Sequence, residues 1–322
     1  MHPLYPAAQK LYRPILDAAY KILHTAGAGL PESYYQQALQ HELRLQGCTA
    51  EREVSLTVVY KDEALQSNLR ADIVVNNCFV IELKAVDSPI IPKYVSQILT
   101  YMATLGCPSG LIFNFGITKD PRYTPIILNG ANTGFEEPAD SIFEKGYRPQ
   151  TPPHPDPTDR PPSMHPRFLQ AYNTYPDILA AADEVQKILG PGRLQEIYHY
   201  ALIRELTLRG HHVTHELRQT LTYQDASVET ILRASILIDG CIVLSPVFFT
   251  GSFLSHPLSY IRSLTYMTHL NYPIGLVYNF GEARGERHKP LILEGANANR
   301  TEPPDSPFYR PLYCNRCTFR RH

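Results

Sequence analysis

Three ionisable residues interrupt an apolar stretch in the first half of the chain. The stretch RADIVVNNCFVIELKAV, residues 70–86, contains Asp72, Glu82 and Lys84 among valine, isoleucine, phenylalanine and leucine. Isolated buried charges are costly unless they are paired or bound to a metal ion. Two carboxylates on adjacent strands can bind a hard divalent cation through oxygen, and a lysine beside them can orient water or offset phosphate charge. The pattern therefore predicts a metal ion that balances the two carboxylates.

The predicted local structure brings these side chains together. The side chains of a strand alternate between its two faces, so Glu82 and Lys84 project to the same face. Asn76-Asn77 suits a two-residue hairpin turn, because asparagine tolerates positive φ angles. This turn places Asp72, on the preceding strand, alongside Glu82.

The surrounding sequence alternates between helical and strand patterns. A helix is predicted to begin near residues 29–31, with Pro31 in its first turn, and a second helix to span roughly 93–105. Strands are predicted around 54–60, 69–75 and 78–85, with another beginning at Gly110. Because hairpin and crossover connections are mixed, we expect an α/β fold whose sheet is covered by helices on both faces.

Length and composition are those of a globular chain with two domains. The chain has 322 residues, of which 43% are hydrophobic and 19% charged, and its formal net charge is −1. No global basic field attracts nucleic acid, so such binding has to come from a local patch. The final stretch, YRPLYCNRCTFRRH, contains four arginines and no acidic residue. No apolar run approaches the length of a membrane span and the N-terminus does not resemble a signal peptide, so we expect no membrane association.

Six cysteines are spread over the chain. Cys78 and Cys241 lie in apolar, strand-like runs, which indicates free, buried thiols in a reducing compartment, and we expect a cytoplasmic protein. Cys314 and Cys317 form one C-x2-C pair, but zinc normally needs four ligands and a second pair is missing. The role of this pair stays open.

The two halves of the chain are copies of each other. NLRADIVVNNCFVIEL at residue 68 matches ILRASILIDGCIVLSP at residue 231, and EVSLTVVYKD matches ELRQTLTYQD at the same offset of 163. After two inserted residues the offset becomes 165, and LTYMATLGCPSGLIFNFG matches LTYMTHLNYPIGLVYNFG. Constant spacing over this length indicates a tandem duplication.

A proline-rich stretch separates the copies. Eight of the 18 residues from 149 to 166 are proline, which is typical of an extended, semi-rigid spacer. We therefore predict a first copy over residues 1–148, a linker over 149–166, and a second copy with a basic tail over 167–322.

The ordered polar residues of the first copy resemble those of the PD-(D/E)xK nuclease superfamily. The helix GLPESYYQQAL is similar to the G-x-x-E-x-x-Y signature of the GxxExxY family within it, through Gly29, Glu32 and Tyr35. An E-x-K motif alone occurs often by chance, whereas the ordered set covers nearly the whole first copy. The resemblance implies two restriction-endonuclease-like domains, each a mixed central β-sheet flanked by helices. The ordered set comprises Glu32, Asp72, Glu82, Lys84 and Gln97.

The resemblance also implies a metal-dependent nuclease that hydrolyses phosphodiester bonds. Asp72, Glu82 and the backbone carbonyl of Leu83 would bind Mg²⁺, or Mn²⁺ as a substitute. Glu32 would complete the metal shell directly or through water. Lys84 would position the attacking water and stabilise charge on the phosphorane.

Two further positions take supporting roles in this interpretation. Gln97 would orient water or phosphate, and Tyr35 would support the site rather than react. The substrate would be nucleic acid, with DNA favoured over RNA, and a further protein partner is an open expectation.

Each position also has a simpler interpretation. Glu82 and Lys84 could form a structural ion pair on a solvated strand face, although their apolar neighbours argue against it. Glu32 could be a first-turn acid favoured by the helix dipole, and Gln97 a surface glutamine. A non-catalytic nucleic-acid-binding or scaffold protein, and an enzyme for a different phosphodiester, are the alternatives to a nuclease.

The second copy differs at all five positions. It has Gln195 for Glu32, Ser235 for Asp72, Ser245 for Glu82, Val247 for Lys84 and Arg262 for Gln97. Tyr35 is retained as Tyr198. Since every acidic ligand is gone, we expect an inactive pseudonuclease that is kept for structure or binding and pairs with the first copy. Val247, Phe248 and Phe249 are expected to fill this copy's own cleft or to pack against another domain.

Overall fold

The computed structural model describes residues 1–65, 68–116, 122–139, 141–143, 163–251, 253, 256–281, 287–298, 300, 306, 308 and 312–314. Most of the predicted linker, residues 149–162, lies outside this set, as do Cys317 and the basic tail beyond Cys314. The chain forms two compact units. The first comprises Met1–Pro153 and Thr222–Val228, and the second comprises His154–Leu221 and Glu229–His322.

The first copy is built around a mixed five-stranded sheet. Its elements are α1 (Tyr5–Gln9), α2 (Tyr12–Ala26), α3 (Glu32–Leu45), β1 (Ala50–Leu56), β2 (Val59–Tyr60), β3 (Glu63–Ala64), β4 (Leu69–Val75), β5 (Phe79–Lys84), α4 (Pro92–Leu105), β6 (Ser109–Asn114) and β7 (Tyr123–Ile127). The strand order is β1-β4-β5-β6-β7. Strands β5 and β6 run parallel and are joined through α4, as a parallel pair requires, whereas the other neighbours are antiparallel.

The second copy repeats this arrangement in a six-stranded sheet. Its elements are α5 (Phe168–Leu189), α6 (Gln195–Leu208), β8 (Val213–Tyr223), β9 (Ala226–Ile238), β10 (Ile242–Val247), α7 (Leu258–Leu270), β11 (Ile274–Asn279), β12 (His288–Leu293) and β13 (Leu312–Cys314). The strand order is β13-β12-β11-β10-β9-β8. Strands β10 and β11 run parallel around α7, and the additional strand β13 runs parallel to β12. Across the described residues, no helix has both the length and the apolar character needed to cross a bilayer.

The predicted α/β fold with two mixed sheets is confirmed, and one strand boundary is wrong. The strand expected over 54–60 is β1, which covers Ala50–Leu56. It ends at Leu56 because its partner β4 begins at Leu69, directly opposite. The residues that follow form the separate small hairpin of β2 and β3. In addition, Pro31 is the N-cap residue of α3 rather than part of its first turn.

The hairpin turn between β4 and β5 has the predicted conformation. Asn76 and Asn77 have φ angles of 49° and 51°, in the left-handed region that asparagine tolerates. The second copy repeats this turn with Asp239 and Gly240, at 51° and 65°. Both hairpins therefore have the same turn geometry.

Helix α4 packs on one face of β5, and both faces of this strand are buried. Val80, Ile98, Met102 and Ile112 belong to one hydrophobic cluster between this helix and the sheet. Full burial of such a side chain stabilises the fold by about 1.5–3 kcal/mol. Because Glu82 follows Val80 by two residues on the same strand, its carboxylate projects from this face.

Candidate active site

Asp72 lies where the regular pairing of β4 and β5 stops. The last paired residues are Ile73 and Ile81. One residue further along β4, Asp72 Oδ2 accepts a hydrogen bond from the backbone N–H of Leu83 at 2.7 Å. This contact holds the carboxylate beside the end of β5.

Gln36 fixes the other oxygen of Asp72. Its Nε2 donates to Asp72 Oδ1 at 3.0 Å, and both side chains are buried. Gln36 was not predicted as a site residue, although it follows Glu32 by four positions and therefore lies on the same face of α3. That helical spacing was the available signal.

The carboxylate of Glu82 is fully buried. Its exposed fraction is 0%, and Oε1 accepts a hydrogen bond from Lys84 Nζ at 2.5 Å. Oε2 is also buried and accepts no hydrogen bond from any described residue. Burial, and then the charge of Asp72, raise the pKa of Glu82, while Lys84 opposes this shift. One oxygen of this carboxylate is thus directed into the site without a partner from the described chain.

The ammonium group of Lys84 contacts two atoms that the sequence assigned to the metal. Its Nζ donates to Glu82 Oε1 and, at 2.8 Å, to the backbone carbonyl of Leu83. Burial lowers the pKa of Lys84, but the neighbouring carboxylates outweigh burial and leave that pKa above its ordinary value. Lys84 is therefore a cation at neutral pH, which suits a hydrogen-bond donor and not a base. Since the pair is buried, the solvated ion pair considered above does not fit.

Glu32 approaches the cluster from the first turn of α3. Its Oε2 is 3.9 Å from Lys84 Nζ, and its side chain is 37% exposed. Burial raises the pKa of Glu32 to about 7, with Lys84 opposing the shift and the charges of Asp72 and Glu53 adding to it. A carboxyl with this pKa is only partly ionised at neutral pH.

Gln97 lies at the edge of this group. Its Nε2 donates to Tyr101 Oη at 2.9 Å. Among the described hydrogen bonds, none joins Gln97 to a carboxylate of the cluster. Burial raises the pKa of Tyr101, the hydrogen bond with Gln97 opposes this shift, and the charges of Glu82 and Asp72 add to it. Gln97 thus contacts a phenol that lies within electrostatic reach of the carboxylates.

Tyr35 holds the loop that precedes α3. Its Oη donates to the carbonyl of Gly27 at 2.8 Å and accepts from the N–H of Leu30 at 3.0 Å. Its ring stacks on Phe115 at a centroid distance of 4.0 Å. In the second copy, Tyr198 contacts Gly190, Arg193 and Phe280 in the same way. A contact made in both copies positions the helix and is not specific to the carboxylate site.

Glu53 is a further carboxylate that sequence analysis missed. It lies on β1 between residues paired with Ile73 and Ala71, hence opposite Asp72. Burial raises the pKa of Asp72, and the charge of Glu53 adds to that shift. Its φ angle of 55° is unusual for a residue with a side chain. The matching Glu216 has a φ angle of 52°, so the strained backbone belongs to the fold of both copies.

The donor atoms of this cluster fit a hard divalent cation. The carboxylates of Asp72 and Glu82 and the carbonyl of Leu83 supply oxygen only, which Mg²⁺ and Mn²⁺ prefer. The unpartnered Oε2 of Glu82 supports this fit. Within the described part of the chain, however, no three His, Cys, Asp or Glu side chains converge as a ready-made metal site. Two carboxylates and a carbonyl would leave the remaining ligand positions to water or phosphate.

A family model described as the PD-(D/E)XK nuclease superfamily matches residues 9–124 and, a second time, residues 173–290. The chain belongs to the PD-(D/E)XK nuclease superfamily. Members of this superfamily are generally nucleases, and they typically use divalent metals. No curated protein and no solved structure matches the chain.

The second PD-(D/E)XK region replaces the carboxylates with serine hydroxyls. Ser235 Oγ and Ser245 Oγ are 2.8 Å apart, and Ser263 Oγ donates to Ser245 Oγ at 2.6 Å. All three serines are buried. Ser263 stands where the first PD-(D/E)XK region has Ile98, so a new hydroxyl accompanies the loss of the two acids.

The aromatic residues after β10 pack within the second unit. Phe248 lies 5.2 Å from Tyr198 between ring centroids, and Phe249 stacks on His256 at 4.3 Å. The aromatic rings thus pack inside their own copy, but the expectation that they fill its cleft is wrong, because Val247 and Phe248 line a pocket that stays open there.

Proposed function

We propose that the first copy hydrolyses phosphodiester bonds of nucleic acid with Mg²⁺ or Mn²⁺. The observation that carries this proposal is the buried Glu82 carboxylate, whose Oε2 has no partner among the described residues and which lies beside Asp72 and Lys84. The superfamily membership supplies the substrate class. DNA is the favoured substrate over RNA.

In this proposal Asp72, Glu82 and the Leu83 carbonyl bind the metal, and Glu32 completes the shell directly or through water. A bound Mg²⁺ supplies positive charge for the phosphate oxygens and lowers the pKa of coordinated water. Gln36 and the N–H of Leu83 hold Asp72 in one orientation through both of its oxygens. An orientation fixed before substrate binds needs no reorganisation during the reaction.

Lys84 acts as a hydrogen-bond donor in the proposed reaction. Its raised pKa keeps the ammonium protonated, so it orients the attacking water and stabilises negative charge on the phosphorane. Gln97 contributes through Tyr101 or through substrate. Tyr35 positions α3, and thereby Glu32, without touching the reacting atoms.

The second copy is proposed to be an inactive partner of the first. Ser235 and Ser245 lack the charge that a divalent cation requires, and Val247 cannot donate a hydrogen bond in place of Lys84. We further propose that the chain is a GxxExxY-type member, on the basis of Gly29, Glu32 and Tyr35. We assign it to the cytoplasm because Cys48, Cys78, Cys107 and Cys241 are free thiols.

A non-catalytic nucleic-acid-binding or scaffold role is the second candidate. The ion pair between Lys84 and Glu82 favours it, because this pair neutralises much of the cluster without a metal. The two candidates differ in whether strands are cut.

The test is a cleavage assay with the full chain on single- and double-stranded DNA and RNA, with Mg²⁺, Mn²⁺ or chelator. The matched variants are Lys84→Ala and Lys187→Ala, the second of which removes an exposed lysine of α5. Metal-dependent cleavage that Lys84→Ala abolishes and Lys187→Ala preserves supports the enzyme. Binding to nucleic acid without cleavage under any metal supports the second candidate.

A further inference from the structure

A pocket in the second copy occupies the position of the lost metal site. Its volume is about 170 Å³, and its walls include Gln195, Ser245, Val247 and Arg262. These four residues match Glu32, Glu82, Lys84 and Gln97 of the first copy. The site has thus kept its place in the fold while its chemistry has changed.

The change of residues reverses the charge of the site. Three carboxylates and one ammonium in the first copy are replaced by a single guanidinium, that of Arg262. None of the described residues that line the pocket carries a carboxylate, and no described acidic side chain forms an ion pair with Arg262. A cation in a pocket without a counter-charge attracts an anion.

We propose that this pocket binds a phosphate group. The planar guanidinium of Arg262 can donate two parallel hydrogen bonds to phosphate oxygens, which is the geometry that favours arginine at phosphate sites. At roughly 30 Å³ per water molecule, the pocket has room for about six waters. That space accommodates one phosphate group.

The floor of the pocket offers a second donor. Ser245 Oγ accepts a hydrogen bond from Ser263 and is 2.8 Å from Ser235 Oγ. When Ser235 also donates, the hydroxyl proton of Ser245 is available to a ligand. In that arrangement Ser245, which lines the pocket, can donate one hydrogen bond to a ligand at the position where the first copy has the Glu82 carboxylate.

The remaining walls strengthen this interaction and leave an entrance. Val247, Phe248 and Leu258 are apolar and reduce the competition from water for Arg262. The first turn of α7, which contains Leu258, adds the partial positive charge of a helix N-terminus. Gln195 is exposed at the rim, so a phosphate that is part of a larger molecule can enter from solvent.

The source of the phosphate is either free phosphate or a phosphate group of nucleic acid. The inference does not depend on cleavage by the first copy, because phosphate binding by Arg262 needs no metal. All measurements are therefore made on the full chain in chelator. The probes are inorganic phosphate, a short single-stranded oligonucleotide with a 5′-phosphate, and the same oligonucleotide without it.

The variants use the first copy as a template. Arg262→Gln and Gln195→Glu each install the residue found at the matching position of the first copy, and Arg204→Gln removes an exposed arginine of α6 outside the pocket. We expect Arg262→Gln to weaken phosphate binding by about tenfold or more, as loss of a charge-assisted contact does. Arg204→Gln should leave binding unchanged. Gln195→Glu, a change at an exposed position that does not threaten folding, should weaken it through repulsion.

Titration calorimetry measures the affinity of each probe for the wild type and for each variant. Tighter binding of the 5′-phosphorylated oligonucleotide than of free phosphate, lost in Arg262→Gln, identifies nucleic acid as the source. Equal binding of both probes, lost in the same variant, identifies a free-phosphate site. Equal affinity of the wild type, Arg262→Gln and Gln195→Glu for every probe overturns the proposal, as does the absence of any phosphate binding by the wild type.

Discussion

The two copies have the same strand order around the site and differ in the side chains that occupy the same buried positions. In the first copy, Asp72 and Glu82 share it with Lys84, at the cost of raised carboxyl pKa values. In the second copy, Ser235 and Ser245 fill the corresponding positions with neutral hydroxyls that bond to each other. The contacts common to both copies, such as those of Tyr35 and Tyr198, are the ones that the fold requires. The features found in one copy alone are the candidates for function.

The distinction between fold and function is clearest at Asn114 and Asn279, the last residues of β6 and β11. Asn114 Oδ1 accepts from the N–H of Gly116 at 3.0 Å, and Asn279 Oδ1 accepts from Gly281 at the same distance. A Cβ on Gly116 would lie 2.4 Å from the backbone nitrogen of Val86, so glycine is required there. Because the second copy keeps these contacts without the carboxylates, they serve the fold.

The largest expected effect is the loss of cleavage activity when the site of the first copy is changed. Replacing Lys84 with alanine should lower the rate of metal-dependent cleavage by about 10²–10³-fold, since a donor to developing charge is removed. The rate constant is measured under single turnover with saturating Mg²⁺. Arg204→Gln should leave the rate unchanged. If the Lys84→Ala protein cleaves at the wild-type rate, the first copy does not use Lys84 to catalyse cleavage, and the proposed mechanism is wrong.

The next effect concerns the stability of the second copy. Ser245→Glu should destabilise the protein by about 2–3 kcal/mol, because the larger side chain breaks the contacts with Ser235 and Ser263 and loses its water. Pairing with Arg262, which lines the same pocket, offsets only part of this desolvation cost. Ser245→Ala should cost less, since no charge is buried. Both are measured by urea unfolding at neutral pH. Equal stability of Ser245→Glu and the wild type would show that this copy still tolerates a buried acid.

A smaller effect is expected from pH. Metal binding requires ionised carboxyls, and burial raises the pKa of both Glu32 and Glu82 to about 7. Protons therefore compete with the metal below pH 7, and Mn²⁺ affinity should rise from pH 6 to pH 8 by about tenfold for each of these two groups. Titration calorimetry measures the affinity. In Glu32→Gln the rise should be smaller, and a rise of the same size would assign it to another group.

The smallest effect tests what the copies share. Tyr35→Phe and Tyr198→Phe should each destabilise the chain by about 1–2 kcal/mol, because each leaves one N–H and one carbonyl without their partner. The two losses should be similar, since both hydroxyls make the same two contacts. Thermal melts compare the variants. A much larger loss for Tyr35 would indicate that it does more than hold its loop.

Much of the fold could be predicted from sequence because the strong signals were local. The shared face of Glu82 and Lys84 on β5 and the Asn76-Asn77 turn depend on neighbouring residues, and both match the structure. The constant repeat offset likewise predicted the second copy, which the second family match supports. Helix α2 was missed, although its buried residues Ile15, Ala19 and Ile22 recur at helical spacing. The end of β1 was misplaced because it depends on where its distant partner β4 begins.

The site could be predicted only as a list of residues. Helical spacing indicates that Gln36 shares a face with Glu32, but not that it bonds to Asp72, which belongs to a distant strand. Likewise, the substitution of Ile98 by Ser263 has meaning only once its hydroxyl is seen beside Ser245. The link from Gln97 to Tyr101 rather than to a carboxylate depends on a choice of rotamer that no sequence pattern specifies.

The position of the Lys84 ammonium has a consequence for the order of binding. It donates to Glu82 Oε1 and to the carbonyl of Leu83, two of the atoms proposed to bind the metal. The lysine is thus an intramolecular competitor of the metal, and displacing it lowers the apparent metal affinity. An arriving phosphate would give the displaced ammonium a new partner. Metal and substrate should therefore each increase the affinity for the other, and the free protein should rest in a self-neutralised form that binds metal weakly.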